Sequence, residues 1–210
     1  MQNNFDLNFT TTQLRMIASI VQVGEATFNE LIGNDKSVFS HRYFSGTKSR
    51  ILTKLVQIQC QIESKSSEFP FQFSERTFAY DDIIPELRTE NCILHFAKSN
   101  SPDILPYPSG YKKELSQNNM MIRKQLVLDF DDMPKTKDEP FYGLVVFGGK
   151  RENPFIVIQF PEPGFSRIAK KITIPQIISG GQEEKEEFKR KKAVLKEEYL
   201  SQLSKEGELK

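Results

Sequence analysis

The chain has 210 residues, of which 38% are hydrophobic and 27% charged, with a formal net charge of +1. That is a globular composition, and the length suffices for one sizeable core or for one domain with an appendage. A nearly neutral total excludes whole-molecule attraction to nucleic acid or to acidic membranes, so any such binding has to come from a local patch.

Seventeen Phe and no Trp place most of the aromatic surface in the core, because Phe has no polar handle. Cys60 and Cys92 lack the spacing of a disulfide framework or of a cysteine-based zinc site, and a reducing compartment is the simpler reading. The N-terminus has no basic start followed by an apolar run, as a signal peptide would. Apolar stretches such as Leu144 to Phe147 fall far short of a membrane span. A cytoplasmic protein is expected. By association alone, the asparagine- and phenylalanine-rich composition suggests a low-GC bacterial or phage source.

In chain order, Thr10 to Thr12 read as a cap, followed by a helical face of Leu14, Ile17, Ala18 and Val21. After Gly24, Phe28, Leu31 and Ile32 continue that face, as one kinked helix or two short ones. A polar stretch leads to a second helix beginning near Ser45 or Thr47, with Ile51, Leu52, Leu55, Val56, Ile58 and Ile62 along one side. Phe71, Phe73 and Phe78 suggest a strand or hairpin, and Asp81 to Arg88 a short helix or turn. Asn91 to Lys98 reads as a strand, Ser99 to Tyr111 as a long proline-containing loop, and Lys112 to Asn119 as one or two helical turns.

Strands are then expected at Lys124 to Phe130, Phe141 to Phe147 and Phe155 to Phe160, with Gly148 to Pro154 as a hairpin loop and Ile168 to Ile174 as an edge strand. From Gln182 to Glu206 the chain is a heavily charged helix with a thin apolar stripe of Phe188, Leu195, Tyr199 and Leu203. The expected fold class is α+β: two N-terminal helices, a mostly antiparallel sheet of about five or six strands, and a charged C-terminal helix. The expected organisation is one compact domain over 1–181 (helical over 10–64, sheet-rich over 70–176), followed by the helix over 182–210.

Gln13 to Ile32, with Gly24 to Thr27 between two helical stretches, loosely resembles the first two helices of winged-helix DNA-binding domains, over the first quarter of the chain only. The third helix of that motif should follow quickly, whereas here a polar stretch of about a dozen residues intervenes, too long for a standard turn.

Three stretches carry candidate chemistry. Ser40 to Arg50 puts hydroxyls, Gly46 and the cations Arg42, Lys48 and Arg50 ahead of a helix, a setting that holds anions, although its glycine spacing is not that of a P-loop. The same composition suits an ordinary solvated loop with a capped helix. His95 to Lys124 holds five cations against Asp103 and Glu114, interleaved with tyrosines. Lys98, Tyr107, Tyr111, Lys112, Lys113 and Arg123 there suit contact with a nucleic acid by charge and stacking, or with a protein partner. Asp129 and Asp131 share one side of an expected strand and are weak candidates for holding Mg²⁺, beside the plainer reading of an acidic turn before Pro134. Cys92 and His95, three apart on a strand, point to opposite faces and do not form a dyad. His95 within an apolar strand reads as a satisfied core or rim residue.

The residues favour a non-enzymatic binding protein that contacts a nucleic acid or protein partner through the basic, tyrosine-containing loop, with no cofactor. One alternative is a metal-dependent phosphodiesterase or nucleotidyl-transfer enzyme using the paired aspartates, with Lys98 or Arg123 on the phosphate. The other is a regulatory interaction module docking through the stripe of its C-terminal helix.

Overall fold

In a computed structural model of the chain, the described residues are 7–33, 41–78, 82–120, 122, 139–150, 153–175 and 182–208. The fold is α+β. The α-helices given bounds among the described residues are α1 (Thr11–Gly33), α2 (Lys48–Glu63), α3 (Gly110–Leu115) and α4 (Gln182–Glu208). Six strands, β1 (Gln72–Thr77), β2 (Ile83–Arg88), β3 (Cys92–Ser99), β4 (Phe141–Lys150), β5 (Asn153–Pro161) and β6 (Ile168–Thr173), form one sheet in chain order. Among the described residues no helix is long and apolar enough to cross a membrane. The chain divides into two compact units, one of Met1–Leu14 and Phe71–Pro175, the other of Arg15–Pro70 and Gln176–Lys210.

Helix α1 is one continuous helix and not two, so the turn required by the winged-helix likeness is absent. Thr10 and Gln13 cap it reciprocally: the Thr10 amide donates to Gln13 Oε1 at 2.9 Å and the Gln13 amide to Thr10 Oγ1 at 3.1 Å. Gly24 is a contact point against α2, where an added Cβ would lie 2.7 Å from Val56 Cγ2 and 3.1 Å from Val56 Cα. Gly24→Val is therefore expected to cost about 2 kcal/mol in urea unfolding, because overpacking against the α2 backbone outweighs the glycine's helix penalty.

Most of the α4 stripe is taken up within the helical unit of Arg15–Pro70 and Gln176–Lys210, while Leu203 stays exposed. Leu195 and Tyr199 are buried with Val23, Leu31, Leu55 and Ile58, and Phe188 packs against the same cluster. Lys191 pairs with Glu63 at 2.9 Å and Lys192 with Glu30 at 3.4 Å.

In the sheet unit every neighbouring pair is antiparallel except β3–β4, which is parallel in the register His95↔Leu144. A tight turn cannot join parallel strands, so the chain leaving β3 crosses one face of the sheet before returning as β4. That face carries Ala97, Tyr142, Leu144, Val146 and Val157, and Leu105 and Leu115 of the crossover pack onto it. On the opposite face Leu87, Leu94, Val145, Phe147, Ile158 and Phe160 are fully buried. Gly143 sits between Leu94 and Phe160, where a Cβ would come within 2.7 Å of Leu94 Cδ2.

Two expectations are corrected here. Of the stretch expected as a short helix or turn over Asp81 to Arg88, Ile83–Arg88 is strand β2, paired along its length with β1. Its paired register with β3 is Leu87↔Leu94 and Arg88↔Ile93, and Pro85 lies beyond it, as expected of a residue with no amide to donate. Gly148 to Pro154 is not all loop, because β4 and β5 stay paired out to Lys150↔Asn153. Gly148 and Gly149 continue the ladder at φ 147° and 98°, conformations that other residues rarely adopt. The strand expected at Lys124 to Phe130 lies outside the described residues.

Candidate functional site

Alternation along β1 and β2 puts Ser74, Arg76, Glu86 and Arg88 on the face that the crossover covers, with Ser74 directly opposite Glu86. The next strands add His95 and Tyr142 to the same face. Glu86 is 2% exposed and is the hub. Its Oε2 meets Arg76 Nε at 3.1 Å and His95 Nε2 at 3.1 Å. Its Oε1 accepts from Arg88 Nε at 2.7 Å, from Arg88 Nη2, and from Ser74 Oγ at 3.4 Å. Buried carboxylates need such a set of donors, because their desolvation is otherwise prohibitive.

The His95 ring lies between Glu86 and Tyr142, whose hydroxyl is 3.4 Å from Nδ1. Burial pushes the His95 pKa below its ordinary 6.5, against the opposing pull of Glu86. A neutral ring satisfies all three groups when Nε2–H donates to Glu86 and Nδ1 accepts from the Tyr142 hydroxyl. Glu86 is held down to about 2 by the His95 hydrogen bond, the Arg88 hydrogen bond and the Arg76 charge, against the effect of its burial. Burial pushes the Tyr142 hydroxyl upward. Tyr111 of α3 leans over this array, 4.3 Å from the Phe78 ring and edge-on to His95 at 5.7 Å, and burial raises its hydroxyl to about 12.

Glu86 thus faces two guanidiniums, while the Lys112 ammonium acts on His95 and the Asp82 carboxylate on Tyr111. Arg76 and Arg88 are 38% and 40% exposed, although the carboxylate that holds them is sealed. Glu86 takes only Nε of Arg76, and Nε and Nη2 of Arg88. The remaining fork nitrogens have no partner among the described residues. A guanidinium anchored on one edge and open on the other is a ready donor for phosphate or carboxylate oxygens.

The basic loop read from the sequence is divided by the fold. Tyr111 packs against Phe78 and His95, and Lys112 lies over the Tyr111 ring at 5.9 Å. Lys98 alternates to the opposite face of the sheet, in register with Phe147. Tyr107 is 87% exposed, and its carbonyl accepts from Lys112 Nζ at 2.9 Å. Lys113 is exposed. Arg42, Lys48 and Arg50 belong to the helical unit, where Arg42 stacks on the exposed Tyr43 ring at 5.2 Å. The Thr47 side chain donates to Phe44 O instead of capping α2.

Arg123, Asp129 and Asp131 lie outside the described residues. Among the described residues no three His, Cys, Asp or Glu side chains converge on a point that would hold a metal. Cys92 is a buried free thiol that burial pushes up to about 11, and so is a poor nucleophile at neutral pH.

No protein-family model, curated protein or solved structure matches the chain. What can be said of the site therefore comes from its own geometry. Glu86 and Arg88 fall in the stretch whose composition reads as a short helix or turn, which hides them as partners of β1. The usable signal was a serine and an arginine two apart in β1, followed by a glutamate and an arginine two apart in β2.

Proposed function

We propose that the chain is a non-enzymatic binding protein that receives the phosphate backbone of a single-stranded nucleic acid over Arg76, Arg88, Lys112 and Lys113, with Tyr107 offering its ring to a base. The observation that carries this reading is the pair of half-exposed arginines anchored to one buried carboxylate. Guanidiniums already oriented lose little freedom on meeting an anion, and the exposed ring of Tyr107, the crossover residue whose carbonyl holds Lys112, offers a stacking platform. The Tyr142–His95–Glu86 chain has the composition of a proton relay. Each member is at most 2% exposed, however, which favours a supporting role over contact with a substrate.

The test is fluorescence anisotropy with a labelled single-stranded oligonucleotide across a salt series. Binding is expected to weaken steeply with salt, and Lys113→Ala to shallow that slope by about one phosphate contact. Tyr107→Ala is expected to weaken binding by about 1 kcal/mol or more without changing the melting temperature, since its side chain is largely exposed. If the wild-type protein fails to bind the oligonucleotide at low salt, the reading is wrong.

A further inference from the structure

Beyond that reading, and independent of it, we infer that the open edge of β6 is a docking site for an extended, acidic segment of a partner protein. The edge itself is the first observation. The Ile174 amide donates to Ile156 O at 3.0 Å, which makes 156 and 174 a hydrogen-bonded pair of the β5–β6 ladder. Antiparallel alternation then turns the amides and carbonyls of Ile172 toward β5, and those of Lys171 and Thr173 away from it. Among the described residues nothing pairs with that outer side, and Ala169, Lys170, Lys171 and Thr173 are exposed.

A groove beside the edge is the second observation. Ile104, Leu105 and Pro106 line one wall, and Phe165, Arg167 and Lys171 the other. Ile104 at its lip is 59% exposed. A strand added outside β6 presents alternate side chains to the groove face, where an apolar one is received by Leu105 and Phe165.

Charge chooses the occupant. Arg167, Lys170 and Lys171 border the edge, and Asp103 is the carboxylate among the groove residues, paired with Lys171 while largely exposed. Two β6 edges brought together would set Lys170 and Lys171 against themselves, so these lysines oppose self-pairing. An incoming acidic strand meets them favourably, and one of its carboxylates takes the place of Asp103 on Lys171.

The probe is a capped six-residue peptide of alternating leucine and aspartate, with a leucine–lysine peptide as control, titrated into the ¹⁵N-labelled full chain. The acidic peptide is expected to shift the amides of Lys171, Thr173 and Phe165, and the basic one to leave them unmoved. Thr173→Pro removes one outward amide without touching the inner ladder, and is expected to weaken the acidic peptide roughly tenfold. Asp103→Asn frees Lys171 and is expected to tighten it by about threefold. Four outcomes overturn the inference: no shifts at millimolar peptide, equal binding of the basic peptide, shifts centred on Arg76 and Arg88 instead of β6, or concentration-dependent pairing of two copies through β6. Unchanged affinity in a folded Thr173→Pro protein overturns strand addition as its mode.

Discussion

Replacing Glu86 with alanine is expected to lower the unfolding free energy at pH 7 by about 3 kcal/mol, the lower end for removing one partner of a buried ion pair because the arginines retain access to water. The loss has several parts. His95 Nε2–H and Ser74 Oγ lose their acceptor. Arg76 and Arg88 lose the charge that holds them on the sheet face, and a void opens beneath them. Glu86→Gln keeps the volume and an acceptor but not the charge, so it separates the electrostatic part.

That part has a defined pH window. The Glu86 carboxyl is depressed from 4.5 to about 2 in the folded protein. A depressed acid stabilises the fold fully above its unfolded value, and this contribution is lost as pH falls from about 4.5 to about 2. His95 acts in the same direction. Its depressed pKa means that the unfolded chain takes up a proton first, so stability begins to fall below about 6.5. Urea unfolding from pH 7 to pH 3 should show the gap between wild type and Glu86→Gln narrowing as the pH drops. A gap that stays constant over that range would falsify this account of the hub.

The second large effect is expected at Asn119. Its side chain is fully buried and makes three backbone hydrogen bonds. Nδ2 donates to Tyr142 O at 2.8 Å and to Pro161 O at 2.7 Å, and Oδ1 accepts from the Tyr142 amide at 2.8 Å. It thereby joins the crossover to the start of β4 and the end of β5, and fixes the backbone of the residue whose hydroxyl meets His95. Asn119→Ala leaves three buried backbone groups unpaired, at about 1 kcal/mol or more each, for an expected loss of about 3 to 4 kcal/mol. Hydrogen exchange of the Tyr142 amide should accelerate in step with the loss of global stability. A loss under about 1 kcal/mol with unchanged exchange would show that water replaces the amide without penalty.

Periodicity made the regular elements legible. The stripe of α2 from Ile51 to Ile62 and the apolar runs at Phe141 and Phe155 announce their structures, because a helix face and a buried strand each impose their own spacing of apolar side chains. β2 was not legible. Its middle holds Pro85 and Glu86, residues that alone signal a turn and a solvated surface. Glu86 is buried because residues from β1 and β3 supply its donors, and those partners are ten and nine positions away in the chain.

The amino-acid sequence by itself determined the α+β class, the helices and most strands, since these depend on side chains a few positions apart. Only the tertiary structure decided that β3 and β4 run parallel, and with that which face the crossover covers. It also decided that Tyr111 packs against His95 while Lys98 faces the other side of the sheet. Those arrangements depend on strand pairing between distant segments, where register and alternation choose a residue's neighbours and local composition has no say.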